Sequence, residues 1–226
     1  MSRLAFSLVC AAALAQAQDG SVPRDGFRLH YRSEGSGTPI IFLSGGPGFE
    51  VDYFVPAAKL FPSGYRHIFL EQRGTGRSRP AKLPSEMMTV ANMLADLEAL
   101  RTHLKLERLI LAGHSWGGML AMAYAAAHPS HVDRLILIGS GGHTMEFNEW
   151  FMKNIEARLH AEDREARDYW EAAVKRGVSA DKAMTESIGA IAPGYFFDRN
   201  KGLAFAASIS EGALHSDAFI PLYTQD

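Results

Sequence analysis

The chain has 226 residues, 47% hydrophobic and 21% charged, with a formal net charge of −2. That is the composition of one ordinary globular domain. With no basic stripe anywhere, it gives no reason to expect a nucleic-acid partner.

The N-terminus differs from the rest. Arg3 precedes an apolar run at residues 4–14, and Ala15-Gln16-Ala17 places small residues at the two positions a signal peptidase reads. Residues 1–17 are therefore expected to be a secretory signal cut after Ala17. The run is too short to span a bilayer permanently, so the mature protein is expected in the periplasm or the medium with no stable membrane association. Cys10, the only cysteine, lies inside that run, which would leave the mature chain without a thiol or disulfide.

Residues 24–142 read as an α/β core. Residues 26–33 alternate enough for an antiparallel edge strand, and Gly35-Ser36-Gly37 is a turn. Residues 39–43, PIIFL, are continuously apolar and so read as a strand covered on both faces. The following Ser44-Gly45-Gly46-Pro47-Gly48 leaves backbone N–H groups open at the end of that strand. A short helix is expected over 53–60 and a strand over 67–70. The strand runs into Glu71-Gln72-Arg73-Gly74-Thr75-Gly76-Arg77-Ser78, where charged residues between glycines suggest a loop fixed by its own ion pairs, with Glu71 and Arg73 as supports. A phosphate-binding loop is excluded, because no Lys-Ser/Thr follows at the required spacing.

Over 90–104 the apolar residues Val90, Met93, Leu94, Leu97, Leu100 and Leu104 share one helical face, with Thr89 placed as the cap. Residues 109–112 then read as a buried strand, Gly113-His114-Ser115-Trp116-Gly117 as a sharp turn, and Gly118 onward as a helix. Residues 132–138, VDRLILI, repeat the strand signal after Pro129 closes that helix. Strands alternating with helices imply a doubly wound, mostly parallel sheet with right-handed crossovers.

Past Gly142 the pattern changes. Residues 143–226 read as a helical cap: one or two amphipathic helices over 145–177, then short helical pieces over 181–226 with no clear buried strand. Above the carboxyl edge of the sheet such a cap shapes a pocket and excludes water.

The turn at 113–117 is a candidate nucleophile elbow. A serine held in a tight strand-to-helix turn has its hydroxyl lifted clear of the backbone, and the residues two before and two after it must lack side chains, as Gly113 and Gly117 do. Ser115 is the candidate nucleophile. The N–H groups of Trp116 and Gly46 are the candidate oxyanion donors, with Gly45, Pro47 and Gly48 shaping the second loop. His114 is expected to face away from Ser115.

A serine hydroxyl also needs a histidine base oriented by a carboxylate, and in this type of fold these follow the serine in the order acid, then histidine. No strands able to carry them are visible after Ile138. His128 and His131 lie roughly 20 Å away at the far end of the elbow helix. His143, with Glu146 nearby, is the one histidine emerging at the same edge. The chain is therefore expected to lack on the order of 60 to 100 C-terminal residues. Its last strands would be missing, and residues 132–138 would present an open apolar edge. No His/Asp/Glu cluster has ligand spacing, so neither a metal nor a cofactor is expected.

Three motifs, GGPG at 45–48, EQRGTGRS at 71–78 and GHSWGG at 113–118, occur in an order and spacing that resemble the proline iminopeptidase group of α/β-hydrolases. The resemblance covers residues 26–140 well and the cap loosely. It implies the α/β-hydrolase fold and a serine hydrolase that removes an N-terminal proline or other residue from short peptides through an acyl-enzyme on Ser115. Its partner would be a small molecule or short peptide. Two positions depart from the group: Ser44 stands where it usually has histidine, and Glu71 where it has aspartate. The group binds the free peptide amine with cap glutamates, and Glu211 in LAFAASISEG is the nearest counterpart. Two alternatives stay open, a small-ester esterase of the same fold and a catalytically silent binding protein that kept the pocket.

Overall fold

Strands with continuous apolar runs need cover on both faces, and the sheet is built around three of them. The computed structural model describes residues 17–144 and 146–223; the expected signal at 1–17 and Cys10 fall, Ala17 apart, outside the described residues. Six strands, β1 (Gln18–Arg24), β2 (Phe27–Gly35), β3 (Thr38–Leu43), β4 (Tyr65–Leu70), β5 (Leu109–His114) and β6 (Val132–Ile138), form one sheet in the order β1-β2-β4-β3-β5-β6. β1, β2 and β4 pair antiparallel, and β4, β3, β5 and β6 run parallel. The expected mostly parallel sheet is present.

The two-residue period of the central strands divides the core into two layers. Ile41, Leu43, Ile68, Leu70, Leu109 and Leu111 face one side, where α2 (Val90–His103) and α3 (Trp116–Ala127) lay Met93, Leu97, Leu100, Leu120 and Tyr124 against them. Ile40, Phe42, Phe69, Ile110 and Ala112 face the other, under Val51, Phe54 and Ala58. Those last residues come from a 3-10 turn, Val51–Phe54, followed by the short α1, Val55–Ala58, in place of the single helix expected over 53–60. Thr89 caps α2 as expected, its hydroxyl accepting from the Asn92 N–H at 3.1 Å.

Three elements differ from the sequence reading. The expected edge strand at 26–33 is flanked by β1, which forms a hairpin with β2 across Asp25-Gly26. β1, QDGSVPR, buries only Val22, so it carries no apolar alternation to read, and at an edge Pro23 costs the ladder little. The elbow helix begins at Trp116 and not at Gly118. Among the described residues, the region after β6 holds five α-helices, α4 (Phe147–Glu156), α5 (Ala161–Glu171), the sixteen-residue α6 (Ala180–Tyr195), α7 (Arg199–Ser208) and α8 (Ser216–Tyr223), and a 3-10 turn at Ala173–Arg176. Of these, α8 does not lie wholly with the cap. Its Ala218 and Leu222 are buried in the layer that holds α2 and α3. Among the described strands β6 pairs only with β5, and its Leu137 is exposed.

A buried ion pair ties the loop after β4 to α2. Arg73 Nη2 and Nε reach Asp96 Oδ1 and Oδ2 at 2.7 and 2.9 Å, and Arg24 Nε reaches the same carboxylate at 2.7 Å. The Arg73 and Asp96 side chains are only 5% and 4% exposed, and the guanidinium lies 4.7 Å over the Phe27 ring. A pair this well shielded is costly to break from one side, because the survivor stays buried and charged. Asp96→Ala is expected to lower stability by about 3–5 kcal/mol in urea denaturation. A loss within about 0.5 kcal/mol, the range of ordinary surface substitutions, would show that the pair does not hold the loop.

Candidate active site

The site is assembled from three loops at the carboxyl end of β3, β4 and β5. At the end of β5 the chain reverses through Ser115, whose φ of 52° and ψ of −118° lie in a region that L-residues avoid. Its N–H donates to the Ile138 carbonyl at 3.1 Å, which fixes the corner against the end of β6. The turn is possible because its neighbours lack Cβ atoms. One built on Gly113 would sit 2.3 Å from the Gly117 oxygen, and one on Gly117 would sit 2.2 Å from the Leu43 oxygen. The elbow thus packs backbone to backbone on the end of β3, where the glycine loop begins. Ser115 is half-buried.

That loop lies against the serine. A Cβ on Gly45 would stand 3.1 Å from Ser115 Cβ, so Gly45 also belongs to the close approach. Gly46 and Gly48 have φ of 114° and 91°, open to glycine at little cost. The Gly45 N–H donates to Tyr53 Oη at 2.6 Å, whereas the Gly46 N–H has no backbone or side-chain acceptor among the described residues. Trp116 opens α3, so its N–H is among those a helix cannot satisfy itself. Trp116 stands at the positive end of a twelve-residue helix, and Gly46 follows the Gly45 that approaches Ser115.

Tyr53, which the sequence reading placed only in a helix, organises this loop. Its hydroxyl accepts from Gly45, so its own proton is directed to His114 Nδ1, 2.7 Å away. This assigns His114 as a neutral imidazole with its proton on Nε2. Burial favours the same state by lowering the His114 pKa, and it raises that of the Tyr53 phenol. The His114 ring also packs edge-on to Tyr53 and Phe54, in the layer under the sheet. Only the Gly-Tyr-His hydrogen-bond order, invisible in one dimension, would have revealed Tyr53.

The loop after β4 is the third support. Gln72 Nε2 donates to the Ser44 carbonyl and hydroxyl at 2.9 and 2.8 Å, and Ser44 Oγ donates to the Phe49 carbonyl at 2.8 Å. The Glu71 carboxylate accepts from Arg77 Nε and Nη2 at 2.9 and 2.7 Å, and Arg77 reaches on to Asp19 of β1. From the cap side, the segment before α8 closes on the glycine loop. The His215 N–H donates to the Gly48 carbonyl at 3.1 Å, the Glu50 N–H to the Ala213 carbonyl at 2.9 Å, and Phe49 bridges to Leu214.

Residues 38–178 match the α/β-hydrolase fold family. The chain belongs to that family. Among curated relatives, a probable proline iminopeptidase of Streptomyces coelicolor is 42% identical over 126 residues, covering 51% of this chain and 37% of the relative. The proline iminopeptidase of Arabidopsis thaliana is 34% identical over 147 residues, 63% of this chain and 36% of the relative. The chain therefore spans well under half the length of these relatives. Among solved structures, VinJ superposes with a TM-score of 0.64 at 26% identity, covering 77% of this chain and 58% of that one. A proline iminopeptidase of Mycobacterium smegmatis gives 0.62 at 24%, covering 91% and 69%, and at that identity shows the fold alone.

Other candidates are not brought to this α/β-hydrolase elbow. No imidazole or carboxylate among the described residues hydrogen-bonds Ser115 Oγ. His143, the one alternative base, and Glu146 are both exposed. Glu211 is exposed too, in the α7–α8 connection, 3.9 Å from Lys182 Nζ and beside Thr185 and Glu186. No described contact joins it to Ser115. Glu98, His128 and His131, spread over 34 positions with no ligand spacing along the chain, are gathered by the fold.

Gly117→Ala tests the close packing. The added methyl group must push the elbow off Leu43, which is expected to cost about 1–3 kcal/mol of stability and to abolish covalent labelling of Ser115. Wild-type labelling by Gly117→Ala would show that the elbow tolerates separation from β3.

Proposed function

We propose that the protein is a serine hydrolase of the peptidase type that acts at the N-terminus of short peptides through an acyl-enzyme on Ser115. The observation that carries the reading is the packing of the strained Ser115 corner on a glycine loop whose Gly46 N–H is unspent. Attack by Oγ on a carbonyl would place the developing negative charge between the N–H groups of Gly46 and Trp116. Similarity to proline iminopeptidases at 34–42% identity supports an amide substrate. A triad base is required for turnover, and the described residues do not offer one to Ser115.

A fluorophosphonate probe tests the nucleophile, because it phosphonylates an activated serine in an oxyanion site. In the full-length protein a single adduct on Ser115 is expected, and none in Ser115→Ala. Proline-arylamide turnover is expected to exceed aryl-acetate turnover, both falling at least about 10³-fold in Ser115→Ala. The reverse ratio identifies an esterase, and absence of any adduct identifies a binding protein.

We also propose export, supported by the apolar run at 4–14 and Ala15-Gln16-Ala17. β1 begins at Gln18, so a cut after Ala17 leaves the whole sheet intact. N-terminal sequencing of protein from the source cells is expected to start at Gln18; a start at Met1 or Ser2 would overturn export by this signal.

A further inference from the structure

At the far end of α3 from Ser115, four side chains from separate elements converge. Glu98 projects from α2, Tyr124 from the last turn of α3, His128 stands at the C-cap of α3, and His131 ends the 3-10 turn Pro129–His131 that leads into β6. A Glu98 oxygen and one nitrogen from each imidazole all lie within 4.8 Å of one another, and all three residues are half-buried. The two imidazole rings stack nearly parallel, 5.7 Å apart at 6°, and His128 also packs 5.0 Å from the Tyr124 ring.

The hydrogen bonds divide this cluster into an orienting part and an open part. Glu98 Oε1 accepts from the Tyr124 hydroxyl, from Arg101 Nε at 3.0 Å and across to His131 Nδ1 at 3.0 Å, and Oε2 accepts from Arg101 Nη2 at 3.0 Å. Among the described residues no hydrogen bond uses either ring nitrogen of His128 or Nε2 of His131. The carboxylate is held from behind by a phenol and a guanidinium, while imidazole nitrogens remain to be spent in front.

Two imidazoles and a carboxylate are the donor set of borderline divalent ions, and hydrogen bonds to the back of a ligating carboxylate are the usual outer support of such a site. We propose that Glu98, His128 and His131 form a binding site for a divalent ion of the zinc class. Arg101 already balances the Glu98 charge, so the imidazoles supply most of the affinity. That selects Zn²⁺ over Mg²⁺ and Ca²⁺, which need several charged or carbonyl oxygens. An ion there joins α2 to the end of the elbow helix and the start of β6. A twelve-residue helix separates it from Ser115 by roughly 18 Å, so its role is to clip the elbow's scaffold and not to take part in the reaction.

The test is titration of the untagged chain with Zn²⁺ alone, followed by calorimetry and by the melting temperature. One equivalent is expected to bind in the micromolar range and to raise the melting temperature, with no saturable binding of Mg²⁺ or Ca²⁺. His128→Ala and His131→Ala are each expected to weaken Zn²⁺ binding at least tenfold. The His128 ring makes no described hydrogen bond, and its backbone bonds to Tyr124 and His131 survive substitution, so His128→Ala, compared with wild type at the metal-free melting temperature of each, decides the matter even if His131→Ala folds poorly. No saturable Zn²⁺ binding below 100 μM, or equal affinity in wild type and His128→Ala, overturns the proposal.

Discussion

The site depends on one steric fact: between residues 113, 117 and the end of β3 there is no room for a side chain. Carbonyl oxygens of Gly117 and Leu43 occupy the places where Cβ atoms at 113 and 117 would go. Such contact lets a helix start directly on top of a strand end, and the residue between them is forced to positive φ. Holding a non-glycine residue there costs on the order of 1–3 kcal/mol, and the surrounding core offsets it. Leu43, Leu111, Leu120 and Ala121, all buried in one layer, clamp both sides of the corner.

Around that corner the loops are braced in series. Asp96 fixes Arg73, the neighbouring Gln72 amide fixes Ser44, and the Ser44 hydroxyl fixes the Phe49 carbonyl beyond the glycines. On the opposite side Tyr53 holds the Gly45 N–H and leans on a neutral His114. The glycine loop is thereby gripped from both faces of the sheet. The glycines supply permissive backbone, and polar side chains from elsewhere choose one conformation from those permitted.

Much of this was legible in one dimension. Ile40 to Leu43 and Leu109 to Ala112 could only be strands covered twice, and the need for glycine at 113 and 117 followed from the geometry of a serine turn. What stayed hidden was of three kinds. β1 has a single buried side chain, so there was no pattern to see. Asp96 sits on the buried face of α2 among leucines, where a charged residue is readable as a partner only once Arg73 and Arg24 are placed in space. The gathering of Glu98 with His128 and His131 depends on α2 and α3 lying side by side, which no spacing along the chain expresses. The place of α8 is illegible for a related reason: apolar residues such as Ala218 and Leu222 look the same in sequence whether they cover a pocket or join the core.

The antiparallel bridge between Phe49 and Leu214, with the backbone bonds at Gly48 and Glu50, makes two distant stretches of chain into one mechanical unit. Leu214 leads directly into α8, which is rooted in the sheet's own core, and follows α7, which belongs to the helices packed beyond it. Any outward displacement of α7 would therefore pull, through Leu214, on the strap that holds the glycine loop at Gly48 and Glu50. The placement of the helices after β6 and the conformation of the glycine loop are thus tied to one short backbone splice.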